Sequence, residues 1–144
     1  DLIFAYGGRS FSIWANDGTL IFDSGNAFEQ VIAKRSPDAF NANGGVDEFD
    51  DRSDDKGPEP EALALGEIDG RTYAFIGMER NNAIFAYDIT LPSDPHMAGY
   101  MMPASSHNSP EGIEFIAAKN SPTGKPLLAV AYEMTGTIGV YQID

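Results

Sequence analysis

The sequence predicts an all-β fold of antiparallel four-stranded units with one short inserted α-helix. Three observations lead to this prediction: an internal repeat, turn-forming residue pairs between short apolar segments, and a composition typical of a folded domain. The 144 residues are 42% hydrophobic and 11% aromatic, which is enough for one compact domain with its own core. The repeat is the most informative of the three.

The repeat relates two segments that lie 54 residues apart. YAFIGMERNNAIFAYDIT, residues 73–90, aligns with LLAVAYEMTGTIGVYQID, residues 127–144, and the alignment places Glu79 on Glu133. Each copy follows a similar lead-in, PEALALGEIDG or PEGIEFIAAKN. A third copy, LIFAYGGRSFSIWAN at residues 2–16, lacks the lead-in. Self-similarity of this kind indicates a fold built from repeated strand units.

Turn residues divide each unit into short strands. The predicted turns are Asp17-Gly18, Asp69-Gly70, Asn81-Asn82 and Thr135-Gly136. Antiparallel four-stranded units that recur at about 40 to 50 residues are typical of β-propeller blades, and a sandwich or meander is the alternative. Closed propellers have typically four to eight blades. These copies would therefore be the C-terminal blades of a larger propeller, packed on its remaining blades or on a second copy.

The predicted organisation is a partial β-propeller domain with one insertion. Its parts are an incomplete blade at 1–23, a helix and acidic loop at 24–59, a blade at 60–108 and the last blade at 109–144. In the insertion, Asn26 and Glu29 resemble a capping box at the start of a short helix. Pro37 is expected to stop that helix.

The charge balance excludes several classes of partner. A net charge of −13 and a pI near 4.3 repel nucleic acid and anionic lipid surfaces, and no stripe of Lys or Arg offsets them. The sequence has no apolar run long enough for this segment to insert into a membrane. Without cysteine and with two histidines, disulfides and thiolate metal sites are excluded, whereas oxygen ligands for calcium are abundant.

The stretch DEFDDRSDDKGPEPEAL, residues 47–63, contains eight carboxylates. An EF-hand register that starts at Asp50 fails, because Arg52 stands at a ligand position and Asp55 where the loop needs glycine. The stretch is therefore either a solvated acidic loop or part of another cation site. Its candidate metal ligands are Asp51, Asp54, Asp55 and Glu61.

Four glutamates are predicted to gather at one rim of the blades. In an antiparallel unit the start of one strand and the end of the next lie on the same edge, so Glu61 meets Glu79, and Glu111 meets Glu133. Clustered carboxylates need a cation or an arginine for compensation. The candidate arginines, which would also bind an anionic ligand, are Arg9, Arg52 and Arg80. The alternative is that these glutamates are ordinary exposed strand-end residues.

Two further predictions concern side chains away from this rim. His107 lies in SSHNSPEG, but no nucleophile elbow accompanies it, so an ordinary loop histidine is favoured over a catalytic one. Trp14, Tyr87 and Tyr141 occupy equivalent positions of the three copies and are predicted to lie in the blade core.

The chain resembles the C-terminal portion of the choice-of-anchor I family in three segments: RSFSIWANDGTLIFDSGNAFEQ, FDDRSDDKGPEPEALALGEIDGRTYAFIGMER and SPEGIEFIAAKNSPTGKPLLAVAYEMTGTIGVYQID. DDRSDDKGPEPE is the most specific motif. Members are extracellular propeller-like proteins, some of them labelled mesenchyme-specific cell surface glycoprotein or alkaline phosphatase. The resemblance implies a secreted, periplasmic or cell-surface anchored protein whose earlier blades lie outside this chain.

The predicted function is a surface binding or adhesion module with an acidic, calcium-binding rim and a surface protein as partner. The alternative follows from the phosphatase label that some relatives carry. It is a calcium-dependent phosphoesterase, resembling alkaline phosphatase or phytase propellers, whose arginines bind a phosphate ester. No nucleophile matches that alternative. The resemblance to these phosphatases therefore extends only to candidate metal ligands. Whether the protein is an enzyme stays open.

Overall fold

The computed structural model describes residues 7–44 and 46–144. Over these residues the fold is all-β, with antiparallel sheets and one α-helix, as predicted. The strands are β1 (Ser12–Trp14), β2 (Leu20–Asp23), β3 (Pro60–Ile68), β4 (Arg71–Met78), β5 (Ala83–Asp88), β6 (His96–Met101), β7 (Pro110–Ile116), β8 (Leu127–Tyr132) and β9 (Thr137–Gln142). The helix, α1, is Ala27–Arg35.

Three sheets follow one another along the chain. Unit 1 is the pair β1-β2, unit 2 has the order β3-β4-β5-β6, and unit 3 has the order β7-β8-β9. Units 2 and 3 lie within the predicted blades at 60–108 and 109–144, although unit 3 has three strands rather than four in the described residues. The first five residues of the third repeat copy, residues 2–6, lie outside the described residues.

The predicted turns close the hairpins. Asp69 and Gly70, between β3 and β4, both have positive φ, 50° and 76°, which is the conformation of a two-residue type I′ turn. Asn82 and Gly136 have φ of 57° and 59° at equivalent places in units 2 and 3. The short-range turn signals therefore determine where each strand ends.

The repeat extends to an irregularity at the start of each unit. Both β3 and β7 begin with a proline, after which the pairing with the next strand shifts by one residue. The residue before the proline, Glu59 or Ser109, has a positive φ of 50° or 68°. Its carbonyl oxygen accepts a hydrogen bond from the amide of Glu79 at 2.8 Å or of Glu133 at 2.9 Å. The same backbone conformation and hydrogen bond therefore bring the end of the second strand to the start of the first strand in both units.

One face of unit 2 packs against the helix. Phe28 and Ile32 of α1 are fully buried and join a core with Phe85 and Tyr87 of β5. The ring of Phe28 lies edge-on to Phe85, with centroids 4.8 Å apart. The inserted helix is therefore an integral part of the fold that covers β4, β5 and β6 on one side of the four-stranded sheet.

The opposite face of unit 2 packs against unit 3. Phe75 and Ile84 contact a buried cluster that includes Leu128, Val130 and Tyr132. Units 2 and 3 are thus stacked face to face, as neighbouring blades would be.

The outer face of unit 3 is open in the described structure. Ile138 and Val140 on this face are 72% and 59% exposed. In the repeat they correspond to Ile84 and Ala86, which lie in the contact between units 2 and 3. The exposed face of unit 3 is therefore the counterpart of the face that unit 2 buries against its neighbour.

Two predictions about local packing are wrong. Trp14 was expected in the blade core but is 59% exposed, because β1 leaves its ring at the surface; Tyr87 is buried and Tyr141 partly buried. Asn26 makes no side-chain cap on the helix. Its partner in the predicted capping box, Glu29, instead accepts a hydrogen bond from Arg9.

Gly66 in β3 makes a close contact between units 2 and 3. A Cβ atom at Gly66 would lie 2.6 Å from the ring of Phe115, which stacks on Phe75 with centroids 5.7 Å apart. Gly66→Ala is therefore expected to lower the free energy of unfolding, measured in urea, by about 1–3 kcal/mol through overpacking. Gly112→Ala is the control, since its Cβ would meet nothing closer than 3.8 Å. Equal destabilisation by both changes would contradict the close packing.

Candidate functional site

Five glutamates lie at the edge where β4 and β8 end and β3 and β7 begin. We call them the acidic rim: Glu59, Glu61, Glu79, Glu111 and Glu133. Glu59, Glu61 and Glu79 place one carboxylate oxygen each within 4.8 Å of the others, and so do Glu79, Glu111 and Glu133. We call the first group the paired triad and the second the open triad. The structure thus brings the four glutamates that the repeat singled out together through Glu79, while their role as metal ligands stays a prediction.

Glu59 is the member of the rim that sequence reasoning missed. It is 2% exposed and pairs with three cations: Lys56 Nζ at 2.7 Å, Arg52 Nη2 at 2.9 Å and Arg80 Nε at 2.6 Å. The available signal was its place directly before the first proline of a unit, where unit 3 has Ser109. The paired triad is therefore already compensated by protein cations.

The two buried carboxyl groups of the rim differ in their pKa. Burial raises the pKa of Glu59, but the hydrogen bonds from Lys56 and Arg80 outweigh it and lower that pKa to about 2. Burial, together with the hydrogen bond to the Glu59 carboxylate, raises the pKa of Glu79 to about 7. Near neutral pH, the Glu79 carboxyl group is therefore about half protonated, and a bound cation would displace that proton.

The open triad has little compensation from the protein. Glu79 Oε1 lies 3.0 Å from Arg80 Nη2 and accepts a hydrogen bond from Ser109 Oγ at 3.2 Å. Within the described part of the chain, no Lys or Arg nitrogen lies within 4.0 Å of the carboxylates of Glu111 and Glu133. Both of these side chains are exposed. Their oxygens are therefore accessible to a cation from solvent.

The candidate ligands of the acidic loop lie elsewhere. Asp51 and Asp54 are exposed, and neither belongs to a group of carboxylates that could share one ion among the described residues. Asp55 is ion-paired with Arg52, whose Nη1 lies 3.0 Å from its Oδ2. These three aspartates are not brought to the rim.

All three candidate arginines are held by carboxylates or carbonyl groups. Arg80 and Arg52 bind Glu59. Arg9 does not reach the rim: its Nη1 lies 2.9 Å from Glu29, and its Nη2 donates to the carbonyl oxygen of Asp55 at 3.0 Å. Arg9 therefore anchors the acidic loop against the helix.

His107 makes contacts typical of a structural histidine. Its Nδ1 lies 2.8 Å from Thr137 Oγ1, and its ring stacks on Tyr132 with centroids 4.8 Å apart. These contacts connect the loop before β7 to the last hairpin.

Comparisons with known proteins agree with the sequence resemblance. The model of the choice-of-anchor I domain matches residues 1–92. Gigasin-3a of Magallana gigas is 33% identical over 165 aligned positions, which cover 99% of this chain and 58% of the relative. A mesenchyme-specific cell surface glycoprotein of Strongylocentrotus purpuratus is 35% identical over 101 positions, which cover 60% of this chain and 13% of the relative.

The chain thus spans less than two thirds of the length of both curated relatives. No solved structure matches it significantly. Among the described residues, no helix has the length and apolar character needed to cross a bilayer. The domain family and the name of the Strongylocentrotus purpuratus relative indicate an extracellular or cell-surface location.

Proposed function

Because this chain belongs to the choice-of-anchor I family, we propose that it is an extracellular surface module that binds calcium at its acidic rim and uses that rim for adhesion. One observation supports the proposal above all. Glu79, Glu111 and Glu133, which come from two different sheets, bring oxygens within 4.8 Å of one another. A cation held there would join units 2 and 3.

The open triad fits calcium by the chemistry of its ligands. Calcium binds carboxylate oxygens at about 2.3–2.6 Å, so two ligand oxygens on opposite sides of one ion lie roughly 5 Å apart. The spacing within the triad does not exceed this value. Three carboxylates supply three to six of the six to eight oxygens that calcium takes, and water completes the set. When bound, the ion would supply positive charge to carboxylates that otherwise repel one another.

Calcium is expected to stabilise the chain through the open triad. At a hundred times its dissociation constant, calcium adds about 2.7 kcal/mol to the free energy of unfolding. Glu111→Gln and Glu133→Gln are expected to remove most of the calcium-induced rise in melting temperature. Glu61→Gln should remove less, because its triad already contains Arg52, Lys56 and Arg80 at Glu59.

The control for that experiment is Glu114→Gln, an exposed carboxylate of β7 outside both triads. It removes the same charge and should leave the calcium response unchanged. A response that is absent in the unmodified chain, or that all four variants lower equally, would remove calcium from the proposal.

The affinity for calcium is expected to rise with pH through the titration of Glu79. A carboxyl group must lose its proton to bind a metal, and the pKa of Glu79 is about 7. The affinity should therefore be about tenfold higher at pH 8 than at pH 6. Calorimetry in two buffers of different ionisation enthalpy should detect release of up to one proton. Glu79→Gln should bind weakly and lack the proton release, and an affinity that is flat from pH 6 to 8 would contradict the role of Glu79.

The same carboxyl group affects stability without calcium. Its pKa in the folded chain, about 7, is above the ordinary value of 4.5, so the stability it contributes is full below pH 4.5 and is lost as the pH rises through 7. In Glu79→Gln the amide replaces the protonated carboxyl group. The variant should therefore be more stable than the original chain at pH 8 and similar to it at pH 5.

We also propose that units 2 and 3 are neighbouring blades of a larger propeller. The exposed Ile138 and Val140 support this, because their counterparts in unit 2 lie in the contact with unit 3. On the face of unit 2 that packs against α1, Leu63 and Leu65 of β3 are 60% and 59% exposed. Either further blades of the same polypeptide or a second copy would cover these two faces.

The phosphoesterase alternative gains no support from the arginines. Each of Arg9, Arg52 and Arg80 is paired with a carboxylate of the chain, so a phosphate ester would first have to displace that partner. Turnover of a chromogenic phosphate ester with calcium, abolished by a chelator, is the result that would favour it.

A further inference from the structure

A pocket lies at the edge of unit 2 where the turn between β4 and β5 meets the connection from β6 to β7. Its volume is about 310 Å³, within the range of small-molecule sites, which begins at about 300 Å³. Ala39 and Ala42 of the insertion and Met102 and Pro103 after β6 supply its apolar wall. The described lining residues come from the insertion, that turn and that connection. The pocket is therefore separate from the exposed sheet faces that further blades would cover.

Three asparagines line this pocket: Asn81, Asn82 and Asn108. Each side-chain nitrogen donates a hydrogen bond to a backbone carbonyl oxygen. The acceptors, at 2.7, 2.8 and 2.9 Å in that order, belong to Ala39, His107 and Gly44. Because a carbonyl oxygen only accepts hydrogen bonds, these contacts determine which end of each amide is the nitrogen. The orientation of all three amides is therefore fixed.

The side-chain oxygens of the same three amides are buried and have no hydrogen-bond partner among the described residues. Asn81 as a whole is only 2% exposed. Buried amide oxygens normally accept a hydrogen bond, so each exception requires an explanation. Anchoring of the insertion accounts for the nitrogens but not for the oxygens. Three acceptors without donors at one pocket indicate a ligand that brings the donors.

Comparison of the units shows that the turn between β4 and β5 does not require these amides. The repeat places Thr135 and Gly136 of unit 3 where unit 2 has Asn81 and Asn82. The backbone conformation is nevertheless retained, since φ is 59° at Gly136 and 57° at Asn82. The two amides of this turn therefore distinguish unit 2 from unit 3 and are not a general property of the repeat.

The polar groups of the pocket favour a neutral ligand. An anion would face three acceptor oxygens, and the guanidinium group of Arg80, which also lines the pocket, is already paired with Glu59 and Glu79. An ammonium group would lie beside that guanidinium group, which carries the same charge. A neutral polyhydroxylated molecule meets neither obstacle. Its hydroxyl groups can donate to the amide oxygens while its C–H groups pack on the apolar wall.

We propose that this pocket binds one neutral saccharide unit, whose hydroxyl groups donate hydrogen bonds to the side-chain oxygens of Asn81, Asn82 and Asn108. A site that hydrogen-bonds a hydroxyl group through buried groups strongly rejects an analogue that lacks it. The three amides would therefore determine which sugar is accepted. The site adds a second ligand to the proposed surface module, and it does not use the open triad.

The test is an NMR titration of the isotope-labelled chain with the methyl glycosides of glucose, galactose, mannose and N-acetylglucosamine. The side-chain amide signals of the three asparagines report binding. At least one glycoside is expected to shift these signals to saturation, with a dissociation constant on the order of 1 mM, the value that typical ligand efficiency gives for a molecule of this size. A chelator in the buffer keeps the result independent of the calcium proposal.

Matched variants locate the sugar. Asn82→Gly should fold, because glycine stands at the equivalent position of unit 3 with the same φ. It should weaken binding of the glycoside at least about tenfold, since a hydroxyl group loses its buried acceptor. Asn108→Ala should have a similar effect. Asn120→Gly, at an exposed position outside the described lining of the pocket, should leave the affinity unchanged.

Three outcomes would overturn the proposal. If no glycoside gives a saturable shift, water alone satisfies the three oxygens. If Asn82→Gly and Asn108→Ala bind as tightly as the original chain, the sugar lies elsewhere. If methylammonium binds more tightly than every glycoside, the ligand of the pocket is a cation.

Discussion

Glu59→Gln is expected to lower the free energy of unfolding by about 3–5 kcal/mol at pH 7, the usual cost of breaking a buried ion pair by removing one partner. The reason is that Glu59 is 2% exposed and binds Arg52, Lys56 and Arg80. The neutral amide leaves Lys56 without its anion, while Arg52 keeps only Asp55 and Arg80 only Glu79. Urea denaturation monitored by circular dichroism measures the effect.

The pH dependence of that loss identifies its electrostatic origin. The pKa of Glu59 is about 2 in the folded chain and 4.5 ordinarily, so the stability it contributes is present above pH 4.5 and is lost as the pH falls towards 2. The difference between Glu59→Gln and the original chain should therefore shrink between pH 4.5 and 2. Glu67→Gln, at an exposed position of β3, should change the stability by less than about 0.5 kcal/mol at each pH. A loss for Glu59→Gln that does not depend on pH would show that shape, not charge, matters at this position.

Phe28→Ala is expected to lower the free energy of unfolding by about 3–5 kcal/mol, as removal of a buried aromatic ring usually does. Phe28 has no exposed surface, and its ring contacts those of Phe85 at 4.8 Å and Tyr87 at 5.9 Å between centroids. The change would leave a cavity between α1 and unit 2. Thermal and urea unfolding should both detect it.

Lys34→Ala is the control for the helix itself. Lys34 is exposed in the last turn of α1, so its removal changes the intrinsic stability of the helix by a few tenths of a kcal/mol. If Phe28→Ala were no more destabilising than Lys34→Ala, the helix would not be docked on the sheet. The insertion at 24–59 would then be independent of the blade beside it.

Local features of the fold could be predicted from the sequence because they depend on residues near one another in the chain. The Asp69-Gly70 turn requires positive φ at two successive positions, and Gly supplies it without strain. The end of the helix before Pro37 likewise reflects the conformational limits that proline imposes. The repeat then predicted which segments are equivalent and which strands pair.

The sequence predicted only part of the acidic rim. The repeat aligned Glu79 with Glu133, and residues that the repeat aligns lie at the same edge of their respective sheets. It did not identify Glu59, because its place before a proline marks a repeat position but does not show that Arg52 and Lys56 of the same loop and Arg80 beyond β4 converge on it. Nor did it predict that Arg9 would bind Glu29, because that choice depends on where the helix packs.

The all-β class, the repeat unit, the turns and the acidic character of one edge follow from the sequence, because periodicity, turn chemistry and charge are read directly from the order of the residues. Which carboxylates are compensated follows only from the folded chain. Burial and distance set the pKa values of Glu59 and Glu79, and both arise when the acidic loop packs against the end of β4. For the same reason, the pocket that Asn81, Asn82 and Asn108 line became visible only in the folded chain, where the insertion meets unit 2.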